Sequence, residues 1–434
     1  MKFSISRSAY EDLLNKIRQN NATLSQLTKQ SLTLETTRAT HRHSSPNFRA
    51  VQDCARSVYT ILRSGWQCRC QAPHTVNLRL EPRDNEDISE DEDEKVLKQL
   101  RFRVVFSFGH GSSSSMSSPW RWEEADIRLV EEKPKCTIPA SSPSPNFAAC
   151  PLNPPNKKKK GVRFATQAQN TPSAALETEP DLTPIQDLCK AIAMLQQPQR
   201  DLCLGFLVDE FSKRKHGIYP LPPSSVTQES WTVLSLSHVL SRKADLRRPF
   251  TRYDKLRVAV ILASSVLQLH KTPWIDEKWG KDDILFINRP NGTLFDHPYV
   301  SRQFFACGNP QTNQPCSSDG SNTCRVIRNK ALFDLGVLLI EIWYGRSLEN
   351  LRIPADLNTD GTPNITSDWC TADRLVNEIH WDAGSRYSEA VRRCIRCDFD
   401  RRETNLEDEN FQQAVYDGVV SLLEKNFRQF NCLD

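Results

Sequence analysis

Three side chains that can ligate a metal ion lie close together in the first fifth of the sequence: Cys68, Cys70 and His74. Thiolate sulfur and imidazole nitrogen are donors that zinc takes in structural sites. On an extended chain these three positions share one face. A structural zinc site needs four ligands. The cysteines that could supply the fourth through a tertiary contact are Cys54, Cys189 and Cys203. Buried thiols beside a hydrogen-bonded histidine are the alternative interpretation.

The elements that must position this cluster follow from the apolar periodicity around it. Apolar residues at helical spacing over 7–35 and 51–62 predict helices before the cluster. Three later segments alternate between apolar and polar residues and predict strands: 74–80, 102–108 and 126–130. The acidic stretch 84–94 lies between the first two of these strands, so we expect it to form a loop.

The remaining chain divides into a polar linker and a second run of elements. Residues 133–180 are rich in Pro, Ser and Lys and cannot bury enough apolar surface to offset the entropy of ordering, which predicts disorder. Beyond them the pattern predicts two strands, at 202–208 and 218–221. It also predicts helices at 185–195, 231–241, 254–270, 329–344, 385–397 and 408–427. A small β-containing lobe followed by a mainly helical one predicts an α+β fold.

We expect five regions from these patterns. They are an N-terminal helical segment at 1–65, the first part of a small lobe at 66–132, the disordered linker at 133–180, the remainder of the small lobe at 181–230 and a helical lobe at 231–434.

The order of elements in the C-terminal half is similar to that of a protein kinase, and five segments carry the resemblance. They are Ser-Leu-Ser-His-Val-Leu at 235–240, the helix 253–270 ending in Val-Leu-Gln-Leu-His, Asp-Ile-Leu-Phe at 283–286, Leu-Gly-Val-Leu-Leu-Ile-Glu within 333–345, and Cys-Ile-Arg-Cys-Asp at 394–398. In order, they resemble the helix after the kinase hinge, the helix before the catalytic loop, the strand after that loop, the central buried helix and a segment near the kinase C-terminus. Their common order favours a kinase-like helical lobe.

The whole chain also resembles a fungal family of unknown function. The segments that carry this resemblance are Trp-Gln-Cys-Arg-Cys at 66–70, Asp-Leu-Cys at 187–189, Cys-Leu-Gly at 203–205, Leu-Gln-Leu-His-Lys-Thr-Pro-Trp at 267–274 and His-Pro-Tyr-Val-Ser-Arg at 297–302. Members of that family often carry a further N-terminal helical region, similar to that of fungal HeLo-type prion-inhibition signalling proteins. We expect this chain to hold only part of such a region.

The kinase resemblance identifies a degenerate catalytic loop. Counting back from Asp283, which takes the place of the kinase asparagine, the place of the catalytic aspartate holds Lys278. A kinase uses that carboxylate to orient the acceptor hydroxyl, and an ammonium group cannot accept the hydroxyl proton. Asp296 stands near the place of the second metal-binding residue. Asp283 and Asp296 could together hold a divalent cation. Two surface or turn carboxylates are the alternative.

These residues predict a catalytically inactive, pseudokinase-like interaction or signalling module without a cofactor. We expect it to bind a protein partner through the helical lobe or the N-terminal helices. Two other functions stay open. One is a divergent phosphotransferase that uses Asp283 and Asp296 for its metal. The other is a structural protein stabilised by zinc at Cys68, Cys70 and His74.

Composition excludes some classes of protein. A net charge of +4 with 25% charged residues gives no basic surface of the kind that nucleic-acid binding needs. We expect no membrane span, because no segment approaches about 20 consecutive apolar residues. Fourteen cysteines without an apolar N-terminal signal predict reduced thiols and an intracellular, cytoplasmic location. The basic run from Lys157 to Lys160 predicts either nuclear import or a solvated linker.

Overall fold

The computed structural model describes most of the chain outside two long polar stretches. The described residues are 7–40, 47–83, 97, 99–108, 122–130, 182–195, 203–222, 231–241, 248–276, 278–289, 293–306, 326–364, 366–399 and 403–431. The acidic loop 84–94, the linker 133–180 and the run from Lys157 to Lys160 lie outside them.

Helices and one antiparallel sheet make up the fold, which confirms the predicted α+β class. The helices are α1 (Arg7–Thr40), α2 (Phe48–Ser64), α3 (Leu188–Met194), α4 (Leu236–Leu240), α5 (Arg252–Leu269), α6 (Lys330–Tyr344), α7 (Ser367–Ala383), α8 (Ser385–Arg396), α9 (Glu409–Val415) and α10 (Ser421–Phe430). The strands are β1 (His74–Arg79), β2 (Arg101–Phe108), β3 (Glu123–Leu129), β4 (Gly205–Val208), β5 (Lys215–Pro220), β6 (Thr232–Ser235), β7 (Ile284–Asn288) and β8 (Pro298–Phe304).

All eight strands belong to a single sheet with the order β4-β5-β3-β2-β1-β8-β7-β6. The pairing of β1 with β8 extends over the whole of β1, from His74 opposite Phe304 to Arg79 opposite Tyr299. Strands from the expected small lobe and from the expected helical lobe are therefore hydrogen-bonded to each other within one sheet.

The prediction of a helix over 231–241 is wrong in its first half. Thr232–Ser235 forms β6, which pairs with β7, and α4 begins only after Ser235. The side chain of Ser235 accepts a hydrogen bond from the amide of His238 and so caps that helix. The β-branched residues Thr232 and Val233 suit a strand better than a helix.

α2 connects the sheet to the helical body. Its N-cap is Asn47, whose side chain accepts a hydrogen bond from the amide of Ala50. Its apolar face is fully buried and consists of Val51, Cys54, Ala55, Val58, Ile61 and Leu62. On the same helix, the Gln52 amide donates to the carbonyl of Leu267 in α5 at 2.8 Å. The helix thereby fastens the residues before β1 to the helical body.

α5 and α6 form the centre of the helical body. A capping box of Thr251 and Asp254 starts α5, and Arg248 adds an ion pair to the Asp254 carboxylate at 2.8 Å. Gly345, at φ 63°, ends α6 in the left-handed conformation that glycine adopts without a steric penalty. None of the helices in the described part of the chain combines the length and the apolar composition that crossing a bilayer requires.

Candidate functional site

The predicted Cys/His cluster lies where three pieces of the fold meet. Cys68 and Cys70 belong to the irregular chain between α2 and β1, and His74 is the first residue of β1. Cys189 is the second residue of α3 and reaches the same place from more than a hundred residues later. The amide of Leu188 donates to the carbonyl of Gly65 at 2.8 Å, which holds the start of α3 against the end of α2.

The four potential ligand atoms converge on one point. All of them lie within 4.8 Å of one another. The sulfur of Cys68 lies 3.5 Å from Nε2 of His74, and the sulfur of Cys70 lies 3.9 Å from that of Cys189. All three cysteines are free thiols. Of the candidates for a fourth ligand, the structure selects Cys189; Cys54 and Cys203 do not belong to the group.

Aromatic rings enclose the histidine of this cluster. The imidazole of His74 is fully buried and stacks on Trp66, with 4.2 Å between the ring centroids and an angle of 18° between the planes. Phe108 packs edge-on against the same imidazole, with 5.2 Å between the ring centroids. Burial lowers the pKa of His74 to about 4, although the backbone of Phe304 and the carboxylate of Asp187 act in the opposite direction. The ring is therefore neutral at physiological pH, as a metal ligand must be.

The thiols are affected by the same enclosure. Burial raises the pKa of Cys70 to about 12, and the neighbouring Cys68 and Cys189 contribute to the rise. Asp187, the N-cap of α3, is a buried carboxylate that accepts a hydrogen bond from the Cys189 amide at 3.1 Å. Three thiols beside an imidazole and an outer carboxylate can hold a soft divalent cation once the thiols ionise.

The loop that resembles the kinase catalytic loop connects α5 to β7. The two carboxylates predicted to hold a metal ion, Asp283 in this loop and Asp296 after β7, both have partners within the protein. Lys278 is exposed in this loop. Asp283 accepts a hydrogen bond from the amide of Gly280 at 2.9 Å, and so closes the turn before β7. Asp296 lies in the turn between β7 and β8 and forms an ion pair with Arg257 of α5 at 3.1 Å. Both carboxylates therefore have structural roles.

A charged contact that we did not predict holds this loop to α6. The ammonium of Lys281 lies 2.7 Å from the Glu341 carboxylate and 3.0 Å from that of Glu349. Glu341 is buried, and it also accepts a hydrogen bond from the amide of Leu348. Burial alone would lower the pKa of Lys281, but the contacts with Glu341 and Glu349 together outweigh it and raise the pKa. In the sequence, the charged residue Glu341 within the apolar Leu-Ile-Glu segment could have indicated a buried ion pair.

β3 and α3 do not carry the lysine and glutamate pair that a kinase uses for its nucleotide. Kinases hold the nucleotide phosphates with a lysine on the third strand, which pairs with a glutamate of the next helix. β3 carries Arg128 near its end, and its guanidinium lies over the ring of Tyr219 at 3.8 Å. α3, the next described helix, contains no glutamate.

Comparisons with known proteins place the chain in a family but assign no activity. The family model described as "Domain of unknown function (DUF7580)" matches residues 47–430. No curated protein matches the chain. Among solved structures, the chain is similar to the "Complex of Neurospora crassa PAN2 (WD40-CS1) with PAN3 (pseudokinase and C-term)", at 10% identity and a TM-score of 0.27, over 88% of this chain and 70% of that one. At this TM-score the similarity supports no functional conclusion.

Proposed function

We propose that this chain, which belongs to the DUF7580 family, is a non-catalytic, kinase-like module that binds a protein partner. The observation that carries the proposal is the loop before β7. The place of the catalytic carboxylate holds the exposed Lys278, and the carboxylates of Asp283 and Asp296 are engaged by Gly280 and Arg257. Phosphoryl transfer depends on positioned charge, and here the charge at the decisive place is reversed.

The sheet supports the same proposal. A kinase covers the nucleotide phosphates with a glycine-rich loop between its first two strands. The connection between β1 and β2 instead carries eight acidic residues between positions 84 and 94. Like charges repel, so this acidic composition does not suit a loop that binds phosphate. A kinase binds its nucleotide in the cleft between its small and large lobes. Here β1 of the expected small lobe is hydrogen-bonded along its length to β8 of the expected helical lobe.

A partner surface is available on α1. Five large apolar side chains of this helix are between 40% and 61% exposed: Leu13, Leu14, Ile17, Leu24 and Leu27. Within the described residues, no helix or strand packs extensively against α1. An apolar stripe of this kind can bind a helix or groove of another protein. We further propose, from the sequence, that the protein is fungal and intracellular. We also propose that α1 is related to the helical regions of HeLo-type proteins.

Catalysis is tested by incubating the purified chain with labelled ATP, magnesium or manganese, and protein acceptors. We expect no phosphate transfer and no ATP hydrolysis above the buffer control. Metal-dependent turnover that an Asp296→Ala change abolishes would instead establish the phosphotransferase function. Lys330→Ala is a matched control, because this exposed residue pairs with Asp334 on α6 and lies outside the loop.

Partner binding is tested by cross-linked affinity capture from the native cells. The variant Ile17→Glu/Leu24→Glu places charge in the apolar stripe of α1. The matched control Gln19→Glu/Gln26→Glu places the same charge on the opposite side of the helix. We expect the wild type and the control to recover the same partner and the stripe variant to lose it. Recovery of no specific partner by the wild type contradicts the proposal.

A further inference from the structure

We propose that the chain contains a structural zinc site with three sulfur ligands and one nitrogen ligand. The ligands are Cys68, Cys70, His74 and Cys189. The site fastens α3 and the chain after α2 to the first strand of the sheet. This proposal is independent of the proposed function, because it holds whether or not the module is catalytic.

Two of the separations between ligand atoms match tetrahedral zinc, and all four atoms lie within 4.8 Å of one another. Zinc binds cysteine sulfur at about 2.3 Å and histidine nitrogen at about 2.0–2.1 Å. In a regular tetrahedron these bonds place two sulfur ligands about 3.8 Å apart and a sulfur and a nitrogen ligand about 3.5 Å apart. The distance between the sulfurs of Cys70 and Cys189 is 3.9 Å, and that between the Cys68 sulfur and Nε2 of His74 is 3.5 Å.

The number and type of ligands indicate a structural rather than a catalytic site. Structural zinc is held by four protein ligands, and three cysteines with one histidine are among the common sets. Four ligands leave no position open for water or a substrate. The aromatic rings of Trp66 and Phe108 pack around His74, which fixes the orientation of the ligating ring. The buried carboxylate of Asp187 adds an outer contact, because it accepts a hydrogen bond from the amide of the ligand Cys189 at 3.1 Å.

A disulfide bond or a set of ordinary core thiols would account for less of this geometry. A disulfide between Cys70 and Cys189 would require a sulfur–sulfur distance of about 2.05 Å, against the 3.9 Å observed. It would also give no reason for the approach of Cys68 to His74. Ordinary core thiols pack mainly against hydrocarbon. Here three thiols and an imidazole meet one another, and Cys189 comes from a segment 119 residues beyond Cys70.

A metal ion at this position would stabilise the packing of α3. α3 has seven residues, and a helix this short has little stability of its own. Cys189 lies in its first turn, so a metal bond there would attach the helix to β1 and to the chain after α2. Because such a site does not exist in the unfolded chain, the free energy of zinc binding adds to the stability of the fold.

The first test measures the metal content of the full chain purified under reducing conditions without chelator. Elemental analysis should find about one zinc ion per chain in the wild type, as one four-ligand site requires. Cys189→Ser removes a proposed ligand, whereas Cys203→Ser removes a half-buried thiol outside the group and is the matched control. We expect Cys203→Ser to keep the metal. Cys189→Ser should lose more than the roughly 10–100-fold in affinity that an outer contact contributes.

A second measurement keeps the proposal testable if Cys189→Ser fails to fold. Cobalt added to metal-free wild type should give the thiolate-to-cobalt charge-transfer bands and the intense visible bands of a tetrahedral complex, and one equivalent of zinc should remove them. Far less than one bound zinc per wild-type chain, or a cobalt spectrum without thiolate bands, overturns the proposal. Equal loss of metal in Cys203→Ser and Cys189→Ser overturns the assignment of the ligands.

Discussion

At the scale of single residues, a buried polar group lies behind β5, away from the Cys/His cluster. The hydroxyl of Ser57 in α2 donates to the Asp209 carboxylate at 2.6 Å and lies 2.8 Å from Nε2 of His216. All three side chains are buried. Burial lowers the pKa of His216 to about 4, while Asp209 opposes the change. The group links α2 to the β4–β5 hairpin.

This arrangement predicts a loss of stability in acid. Below its ordinary pKa of 6.5, His216 is protonated in the unfolded chain but stays neutral in the folded one until about pH 4. The unfolded state therefore binds more protons in this window, and stability falls as the pH falls from 6.5 to 4. A shift of this size contributes about 3 kcal/mol at most.

The measurement is urea denaturation of His216→Gln and the wild type at about pH 7 and about pH 5, on either side of the ordinary histidine pKa. The variant should lose less stability over this interval than the wild type does. His238→Gln, at an exposed histidine, is the control and should behave as the wild type. Equal losses in His216→Gln and the wild type would contradict the prediction.

Residue types in the sequence identified part of the candidate site, but they did not identify the residues that complete it. The assignment of Lys278 to the catalytic place follows from the kinase resemblance and stays a prediction. The proposed zinc ligands Cys68, Cys70 and His74 could be named because they are neighbours in sequence. Cys189 could not be chosen over Cys54 or Cys203 from the sequence. The packing of α3 determines which distant thiol lies beside Cys68, Cys70 and His74.

At the scale of elements, α2 and the loop after α5 are fastened by one large side chain. Trp274 is fully buried, and its indole N–H donates to the carbonyl of Ala55 at 2.9 Å. The ring of Tyr59, also from α2, packs edge-on against it at 5.5 Å. The side chain therefore joins the helix before the sheet to the loop that contains Lys278.

Replacing Trp274 should separate the two contributions of this side chain. Trp274→Ala leaves a cavity and should lower the free energy of unfolding by about 3–5 kcal/mol. Trp274→Phe keeps a ring but removes the indole donor to the Ala55 carbonyl, so we expect a smaller loss of about 0.5–1.5 kcal/mol. Trp381→Ala is the control, because that side chain is 86% exposed and should change stability by no more than about 0.5 kcal/mol. Equal effects of Trp274→Ala and Trp381→Ala in denaturant titrations would contradict this role of Trp274.

Several elements with a clear period could be predicted, and one exception has a physical cause. α5 and α6 begin and end within two residues of the positions that their apolar patterns predicted. The sequence predicts a helix where β6 stands, because four residues are too few to show alternation and lead directly into α4. α7 was not predicted, although its buried residues Ala372, Leu375, Val376 and Ile379 have helical spacing and its charged residues lie on the other face, as in an amphipathic helix.

At the scale of the whole molecule, the sheet makes the expected lobes depend on each other. β1 pairs with β2 on one side and with β8 on the other, so its residues belong to both halves of the sheet. The sequence could not predict this pairing, because strands 74–79 and 298–304 are separated by more than two hundred residues. Local residue patterns predict strands but not which distant strands pair.

Joined lobes should unfold together. In scanning calorimetry we expect one cooperative transition for the sheet and the helical body. Val104→Ala in β2 and Leu338→Ala in α6, both at buried positions, should each lower the temperature of that same transition. Two separate transitions, each moved by only one of the variants, would contradict a continuous structure.

A thermal-shift titration of the full chain with ATP, with and without magnesium or manganese, decides whether the kinase-like module has kept a nucleotide site. A ligand that binds only the folded state must raise the melting temperature by mass action. We predict no shift at millimolar nucleotide with either metal, because the two carboxylates that would hold the metal are already engaged, Asp283 by the amide of Gly280 and Asp296 by Arg257. A metal-dependent rise that Asp283→Ala or Asp296→Ala abolishes would establish a nucleotide site and contradict the account in which these two carboxylates serve only as contacts within the protein.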